Sequence, residues 1–380
     1  MLARGYRILL LEYQLFAKDV GKVFEAEGAE VFWLSPKELT VDSFKACVKE
    51  VSPSLLFSIN FSPECSYLAG ECGVPYVSWT VDPLPAKRCK ILGDQGRQFG
   101  FHFAHRRAFV EVLTGLGLTG EFMPLAAPIS RRNIEQLTPS LQLRFACPIS
   151  FVGNSLRKDF FHLEARWKEK GGERKDMLWL EEIFQQRGEL LHFYGIFASD
   201  IPQELISGFE DEREVSEWVE GANGWLAWRL RTQRVKAIVP MGPALYGDLG
   251  WSSFGSLYRG IVAHGDELSN LYAVSRMNLD LPRIYQRDIV TMRVFDVMAL
   301  GGLVLCEKNA AVEGLFQDGE HFIAYENSTD LANVVERLQK EPEARLRVIG
   351  EQARECILKA HTMTHRVRRI LEVCRLGGIK

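Results

Sequence analysis

The chain has little net charge, few cysteines and no long apolar run. Its formal net charge is −3 over 380 residues, so no general attraction to nucleic acid is expected. None of the eight cysteines forms a C-x-x-C pair or lies at zinc-ligand spacing with a histidine, which indicates reduced, structural thiols of a cytoplasmic protein. No segment reaches ~18 uninterrupted apolar residues, so no transmembrane helix is predicted.

Other short signals are also missing. There is no internal repeat, no low-complexity tract and no D-x-D loop. His361 and His365 lie four residues apart, but no glutamate follows His361 as it would in a zinc-protease helix. The apolar run near the N-terminus is interrupted by Glu12 and lacks a small-x-small cleavage site, which favours a first β-strand over a signal peptide.

What is present is the composition of a soluble globular protein, with 47% hydrophobic and 25% charged residues. The length exceeds that of a usual single core and predicts two domains. Short apolar runs alternate with helical patterns, which is typical of parallel sheets covered by helices on both faces. A polar segment at 129–147 separates residues 1–145 from a second alternating region, 146–357. Within that second region, residues from about 156 to 234 predict a mostly helical insertion.

The strands are predicted from these apolar runs. In the first region they lie at 6–12, 29–35, 54–60 and 75–81; the alternating pattern continues through 101–117, and 120–128 ends the unit. In the second region they lie at 147–155, 235–240, 259–265, 276–281, 303–307 and 321–327, with a further short strand at 190–195.

The loop after the strand at 276–281 is the strongest candidate for a binding site. It lies at a carboxyl strand end and leads into a helix predicted at 291–300, whose free N–H groups and dipole suit a phosphate. Arg287 and Arg293 can add charge-assisted bonds. Asp296, one turn into the helix, is placed where a carboxylate accepts hydrogen bonds from the vicinal diol of a ribose.

Asp288 precedes Asp296 by eight positions, which gives a D-x7-D pattern with two readings. The two carboxylates can contact a ligand. Alternatively, Asp288 only initiates the helix and Asp296 pairs with Arg293 on the helix surface. Gly301 and Gly302, which follow the helix, are expected to allow a tight turn and close packing.

Longer segments resemble a known family. HGDELSNLYAVSRMNLDL, MRVFDVMALGGLVLCEKNAAVEGLFQDGEHFIAYENSTDLANVVERL and ILKAHTMTHRVRRIL look like the nucleotide-sugar-binding half of GT-B glycosyltransferases. Order and spacing agree over residues 259–373, and the first third of the chain resembles the other half more loosely. The best match is the CgeB-like (spore maturation protein) group, with a family-1/family-4-type donor domain.

The resemblance implies an α/β protein of the GT-B fold, with two Rossmann-like domains facing a central cleft. The first domain would bind the acceptor, and the terminal helix at 358–380 would cross back to it. The second domain, 146–357 with its helical insertion, would bind the nucleotide-sugar donor.

The resemblance also implies residue roles. Asp296 falls where related enzymes carry a glutamate that binds the ribose, and Asp288 falls near the first acid of the E-x7-E pattern, which contacts the donor sugar. Both are aspartates here, and the glycine-rich EGFG stretch after the first acid is missing. The residues expected beside the diphosphate are Thr291, Met292 and Arg293. Those expected to border the base are Val262, Ala263 and His264.

Two further turns offer donor contacts. Gly153 and Asn154 end a strand in FVGNS and suit phosphate or sugar contact, although a simple turn with an Asn cap is an equal reading. Arg157 either neutralises diphosphate or begins a solvated helix. Tyr246, in YGDLGW, either contacts the donor or belongs to an aromatic-anchored turn.

Asp82, in WTVDPLP, is the candidate general base for an acceptor hydroxyl. The alternative is an aspartate that fixes the turn before a proline. Asn60 occupies a similar strand end and is a candidate for lining the acceptor site. His102 and His105 are rival bases, but their aromatic surroundings favour a packing role.

The expected function is metal-independent transfer of a sugar from a nucleotide-diphosphate sugar, with UDP-sugars first among the donors, to a glycan, protein or small-molecule hydroxyl. The stereochemical outcome is open. Two other classes also remain open: a nucleotide-sugar epimerase, and a silent protein that binds a nucleotide sugar or a partner. Nucleic acid is not expected as a partner, whereas peripheral membrane contact through the basic run 365–369 competes with a solvated helix face.

Overall fold

The computed structural model describes residues 5–13, 17–36, 40–82, 100–128, 139–169 and 175–375. The chain divides into two compact units. Unit 1 comprises residues 1–130 and 358–380, and unit 2 comprises residues 131–357. None of the helices in the described ranges combines the length and the apolar character that a membrane span requires.

Unit 1 contains a six-stranded parallel sheet. Its strands are β1 (Arg7–Leu11), β2 (Glu30–Leu34), β3 (Leu55–Ile59), β4 (Tyr76–Thr80), β5 (Phe101–Ala104) and β6 (Thr119–Phe122). Their order across the sheet is β2-β1-β3-β4-β5-β6. Every residue of β3 and β4 is buried, as expected for central strands of a sheet covered on both faces. The described helices between the strands are α1 (Ala17–Ala26), α2 (Val41–Val51), α3 (Pro63–Cys72) and α4 (Arg107–Gly115).

Unit 2 contains a five-stranded parallel sheet. Its strands are β7 (Ser150–Val152), β8 (Ala244–Tyr246), β9 (Asn278–Leu279), β10 (Val304–Glu307) and β11 (Ile323–Tyr325). They are arranged in the order β11-β10-β9-β7-β8. The strand order changes direction at β7, because β8 lies on one side of it and β9 on the other. Ligands of doubly wound sheets bind at the carboxyl strand ends near such a point.

The helices of this part of the chain fall into two groups. Before β8 lie α5 (Pro139–Phe145), α6 (Phe161–Glu169), α7 (Lys175–Arg187), α8 (Gln203–Ile206) and α9 (Glu212–Ile238). After β8 lie α10 (Asp266–Val274), α11 (Met292–Ala299), α12 (Ala310–Glu313), α13 (Ser328–Lys340) and α14 (Glu343–Ala360). The predicted helical character of 156–234 is confirmed. This insertion has its own core, in which Trp225 packs edge-on against Trp167 and Phe184.

The last helix, α15 (Met363–Arg375), belongs to unit 1. Arg366 donates from Nε to the carbonyl of Pro124 at 2.8 Å and from Nη2 to that of Leu125 at 3.1 Å. Arg369 forms an ion pair with Glu121 of β6 at 2.7 Å. The basic residues of this helix are therefore partly used to hold it on unit 1.

Three predicted strands are wrong. Residues 235–240 end helix α9 and continue into a 3₁₀ turn, because a short apolar run reads equally well as the buried face of a helix. Residues 190–195 are not a strand, and 259–265 are irregular, although Tyr258 just before them forms an isolated bridge to Leu245 of β8. Gly260 and Gly265, both with positive φ, interrupt that segment.

Gly301 and Gly302 have the packing role that the sequence predicts. Gly301 has φ +73°, which lets the chain leave α11 in the left-handed region. A Cβ on Gly302 would lie 2.8 Å from the carbonyl oxygen of Tyr272, so a side chain there would separate the turn from α10. The two glycines thus allow α11 and β10 to pack closely against their neighbours.

Candidate functional site

The segment just before helix α11 is bonded through its side chains to residues at the strand ends of unit 2. Thr291 is the N-cap of the helix, but its side chain makes no capping bond. Its hydroxyl donates instead to Oδ1 of Asp280, just beyond β9, at 2.8 Å. The first turn of α11 therefore has no side-chain cap, so its N–H groups and the helix dipole favour an anionic ligand.

Arg293, predicted to lie beside a diphosphate, has all three side-chain nitrogen atoms engaged. Nε and Nη2 donate to the carbonyl of Val152 at 2.9 and 2.6 Å, and Nη1 donates to Asp280 at 2.5 Å. Burial opposes its positive charge, but the carboxylate of Asp280 and the hydroxyl of Tyr272 together outweigh burial and raise the pKa of Arg293. Arg293 therefore joins β7 to β9, and its effect on a bound anion would come mainly through its charge.

Arg231 of helix α9 was not identified from the sequence. Its Nη1 donates to the carbonyl of Asn154 and its Nη2 to that of Leu281, each at 2.6 Å. Burial, aided by the charges of Arg293 and Arg283, lowers the pKa of Arg231 to about 9. The available signal was helical spacing, because position 231 follows the buried Ala227 by four residues and therefore lies on the same helix face.

Arg231 and Arg293 give the strand ends an excess of positive charge. The carboxylate of Asp280 is the acidic group that acts on both guanidinium groups. One buried and one partly buried guanidinium group beside one buried carboxylate leave a net positive charge among these three side chains at the carboxyl ends of β7 and β9. Such a charge is stabilised by an anion at that edge.

Gly153 and Asn154 lie in a loop that is locked against the loop after β8. The carbonyl of Gly153 accepts a hydrogen bond from Nε1 of Trp251 at 2.8 Å, and a Cβ on Gly247 would lie 2.2 Å from the same oxygen. Ser155 donates its N–H to Asp248 at 2.9 Å. Glycine is therefore required for the close approach of these two loops, and Asn154 is left exposed at the strand end.

The side chain of Tyr246 is buried and that of Arg157 is already paired within the protein, so neither is freely available to contact a donor. The ring of Tyr246 is 6% exposed and packs edge-on against Phe145, while burial raises the pKa of its hydroxyl. The guanidinium group of Arg157 pairs with Glu164 at 2.5 Å and lies over the rings of Phe160 and Trp228.

The two aspartates of the D-x7-D pattern occupy different environments. Asp288 lies in the turn before α11, and since Thr291 is the N-cap, Asp288 does not initiate the helix. Asp296 lies one turn inside α11 and is half-buried, as are Met292 and Thr291 at the start of the helix. Arg287, in contrast, is 2% exposed, so it is not available for the direct phosphate contact suggested by the sequence.

Ala263 and His264, the predicted neighbours of a base, are both exposed before helix α10. The N–H of Ala263 donates to Glu267 at 2.8 Å, and Glu267 also pairs with Arg144 of α5 at 2.6 Å. The backbone of this segment is thereby held in place while its outer surface remains open.

In unit 1, Asp82 lies just beyond β4 within a hydrogen-bonded cluster. Its Oδ2 accepts bonds from the hydroxyl of Tyr13 and, at 2.9 Å, from Nδ2 of Asn60. Oδ1 of Asn60 accepts from the backbone N–H of Asp82 at 3.0 Å. The structure thus brings together two sequence candidates, Asp82 and Asn60, and adds Tyr13, which the sequence analysis missed.

His102 is fully buried in the sheet, and His105 is 7% exposed. The His102 ring packs edge-on against Phe61 and Tyr76, and its Nδ1 lies 2.9 Å from the hydroxyl of Ser78. Burial lowers the pKa of His102 to about 3. His102 therefore has a structural role, as its aromatic surroundings suggested.

The burial of His102 predicts acid sensitivity of unit 1. Between pH ~6.5 and about 3 the unfolded chain binds a proton that the folded protein excludes, so stability falls as pH falls. His102→Phe should reduce the slope of stability against pH by up to ~1.4 kcal/mol per pH unit in this window. Hydrogen exchange of peptides from β4 and β5, compared with wild type at each pH, measures this slope.

The control for that measurement is His264→Phe, which alters an exposed ring in unit 2. Exchange of the β4 and β5 peptides should then match wild type at each pH. An unchanged slope in His102→Phe as well would show that His102 takes up its proton in the folded protein.

A second buried ionic cluster lies at the end of β10. Oε1 of Glu307 accepts from Nε of Arg287 at 2.7 Å and lies 3.2 Å from Nη2 of Arg234. Arg287 also donates to the carbonyl of Leu190, and Arg234 lies 3.5 Å from Glu189. This cluster ties α9 and the insertion to the sheet. Within the described ranges, no group of three or more His, Cys, Asp or Glu side chains is arranged to hold a metal ion.

Comparisons with known proteins agree with this architecture. A family model described as glycosyl transferase-like matches residues 229–372, fewer than half of the chain. A comparison with curated proteins finds no sequence match.

Solved structures match over almost the full length. Sucrose-phosphate synthase from Thermosynechococcus elongatus has 10% identity and a TM-score of 0.60, with 98% of each chain covered. HepE from Anabaena in complex with UDP-glucose has 12% identity and a TM-score of 0.53, covering 96% of this chain and 99% of that one. A glycosyltransferase from Rickettsia africae has 12% identity and a TM-score of 0.53, covering 97% and 98%.

These likenesses establish the fold. Two parallel α/β sheets with this topology confirm the predicted GT-B fold. The chain has the GT-B fold, and its residues 229–372 form a glycosyl transferase-like region.

Proposed function

We propose that this protein is a glycosyltransferase that moves a sugar from a nucleotide-diphosphate sugar to an acceptor hydroxyl. The observation that carries the proposal is the uncapped first turn of α11 beside Asp280, Arg231 and Arg293, within the glycosyl transferase-like region. An uncapped helix start beside two guanidinium groups that share one carboxylate suits the diphosphate of such a donor.

The proposed roles follow the course of the chain. Asp296 binds the ribose hydroxyls, and the backbone of Thr291, Met292 and Arg293 contacts the diphosphate. Asp288 contacts the donor sugar. The exposed segment at Ala263 and His264 borders the base, and the loop at 153–157 closes the other side of the donor.

The donor is proposed to be a UDP-sugar. HepE, which shares the fold, was solved with UDP-glucose. Helix N–H groups and buried arginines are proposed to stabilise the departing diphosphate in place of a metal. Turnover that is unchanged by a chelator would agree with this part of the proposal, and turnover that the chelator abolishes would contradict it.

Finer assignments belong to the same proposal. We place the protein in the CgeB-like group of bacterial glycosylation enzymes and assign it to the cytoplasm, where nucleotide sugars are available. The acceptor is proposed to be a glycan, protein or small molecule with a free hydroxyl, for which Asp82 serves as the general base.

The first experiment is a thermal-shift screen with UDP-, GDP-, dTDP- and ADP-sugars. One donor should raise the melting temperature of the wild-type protein, because a ligand that binds only the folded state stabilises it. Slow release of the nucleoside diphosphate would then indicate a transferase, whereas interconversion of sugars without release would indicate an epimerase. No shift with any donor would overturn the proposal.

Asp296→Ala should weaken binding of that donor at least tenfold, or by ~1.4 kcal/mol or more, because the ribose loses its carboxylate partner. Isothermal titration with the matching nucleoside diphosphate measures the change. Asp266→Ala, which alters an exposed carboxylate in the first turn of α10, is the control and should leave affinity unchanged. Wild-type affinity in Asp296→Ala would refute the ribose role.

A further inference from the structure

The carboxyl edge of the unit 1 sheet contains a second built arrangement of side chains. Tyr13, Asn60 and Asp82 follow β1, β3 and β4, which are neighbours in the sheet. The carboxyl ends of neighbouring parallel strands meet at one edge, which explains why residues far apart in the chain form one cluster here.

Asn60 is held in an unusual backbone conformation. Its φ is +65°, in the left-handed region that asparagine tolerates better than most residues. Its N–H donates to the carbonyl of Trp79 at 2.9 Å, and its carbonyl accepts from the hydroxyl of Ser58 at 2.7 Å. A left-handed residue fixed on both sides is a sign of a functional constraint.

The side chain of Asn60 holds the segment at Asp82. Its Oδ1 accepts from the N–H groups of Val81 and Asp82 at 2.8 and 3.0 Å, and its Nδ2 donates to Oδ2 of Asp82 at 2.9 Å. One amide thus fixes both the backbone and the carboxylate of Asp82.

Tyr13 completes the arrangement. Its hydroxyl donates to the same oxygen, Oδ2 of Asp82. Burial, followed by the bond to Asp82, raises the pKa of Tyr13 to about 12, so the phenol stays protonated and remains a donor. Oδ1 of Asp82 has no hydrogen-bond partner in the described part of the chain, and the side chain is half-buried rather than enclosed.

We infer that Tyr13 and Asn60 are positioning residues that anchor Oδ2 of Asp82 and leave Oδ1 to take the proton of an acceptor hydroxyl. This inference rests on the proposed glycosyltransferase function. In the step it describes, the acceptor O–H proton passes to Oδ1 as the acceptor oxygen forms its bond to the sugar. The sugar–phosphate bond breaks, and the nucleoside diphosphate leaves with the electron pair.

Two donors on one oxygen have a measurable consequence. Without the phenol, Oδ2 of Asp82 loses one of its two anchors. The loss of a fixed orientation in Tyr13→Phe should lower kcat by roughly tenfold with little change in KM.

The experiment measures release of UDP from UDP-glucose with water as the acceptor, in the full-length protein. Asp82→Asn should reduce kcat by at least ~10²-fold, because the amide cannot accept the proton. Tyr13→Phe should lower kcat with little change in KM. Asn60→Gly, which keeps the left-handed backbone possible, should do the same. Tyr67→Phe, a partly exposed tyrosine on α3, is the matched control and should behave as wild type.

The thermal shift produced by UDP-glucose distinguishes failure of this inference from failure of the proposed function. It should be the same in wild type, Tyr13→Phe and Asp82→Asn, since the donor residues lie in unit 2. Full kcat in Tyr13→Phe and Asp82→Asn, with wild-type UDP release intact, would overturn this inference alone. If wild-type protein neither binds nor cleaves any nucleotide sugar, the proposed function fails and the inference fails with it.

Discussion

Glu307→Ala is expected to destabilise unit 2 by ~3–5 kcal/mol, because it leaves two buried arginines without their shared carboxylate. Glu307 is 1% exposed and Arg287 is 2% exposed. Burial already lowers the pKa of Arg287, whereas for Arg234 the charge of Glu307 and other partners outweighs burial and raises the pKa. Without Glu307, both guanidinium groups would be charged in a medium that solvates them poorly.

Urea unfolding followed by tryptophan fluorescence measures this effect. Trp33 and Trp79 lie in unit 1, so the other six of the eight tryptophans report on unit 2. The matched control is Glu326→Ala, which removes the exposed partner of Lys308 in a surface pair of 3.3 Å. An exposed pair of this kind contributes at most ~1 kcal/mol.

Both variants lose a glutamate side chain, so the difference between them measures the effect of burial at Glu307. If Glu307→Ala unfolds at the same urea concentration as Glu326→Ala, the arginines must find water or other partners once the carboxylate is gone. That outcome would show that the end of β10 is more open than the structure indicates.

The sequence predicted the sheets better than the long helix that joins two parts of unit 2. Continuous apolar runs such as Leu55–Ile59 have few readings other than a buried strand. The run at 235–240 has the same appearance, but it ends a 27-residue helix whose buried face continues from Trp218 to Ile238. Periodicity over six residues does not separate these cases, and only the longer pattern does.

The candidate site was predicted in part for a similar reason. The position of α11 after a strand fixes which residues lie near the carboxyl edge, so Arg293 and Asp296 could be named from order alone, and the family resemblance added Thr291. The bonds of those residues could not be predicted. Arg293 binds a carbonyl 141 residues earlier in the chain, and Tyr13 binds a carboxylate 69 residues later. Side-chain pairing over such separations depends on packing that no local pattern encodes.

Arg231 is a second residue whose packing could not be predicted from its local sequence. Its neighbours in the chain are mostly charged or polar, and the sequence predicted only that the insertion is mostly helical. Tertiary packing places its face of α9 against the sheet instead, and backbone carbonyls of Asn154 and Leu281 satisfy two of its nitrogen atoms. A buried arginine that binds carbonyls rather than acids contributes positive charge to the site without a matching carboxylate.

That charge leads to the second large effect, in Asp280→Asn. The substituted amide would keep an oxygen for Thr291 and Arg293 but would remove the negative charge that offsets the two arginines. The unliganded protein should lose ~2–4 kcal/mol of stability. If the diphosphate of the donor lies at this edge, it should replace part of the lost charge, so UDP-glucose should raise the melting temperature more in Asp280→Asn than in wild type.

Thermal shifts with and without UDP-glucose, and with glucose alone, measure this difference. Asp318→Asn is the matched control, because it neutralises an exposed carboxylate that accepts a bond from the N–H of Ala324. Its shift with UDP-glucose should equal that of wild type. A smaller shift in Asp280→Asn than in wild type would mean that the bound diphosphate does not respond to Arg231 and Arg293, and the donor would then have to be placed away from the start of α11.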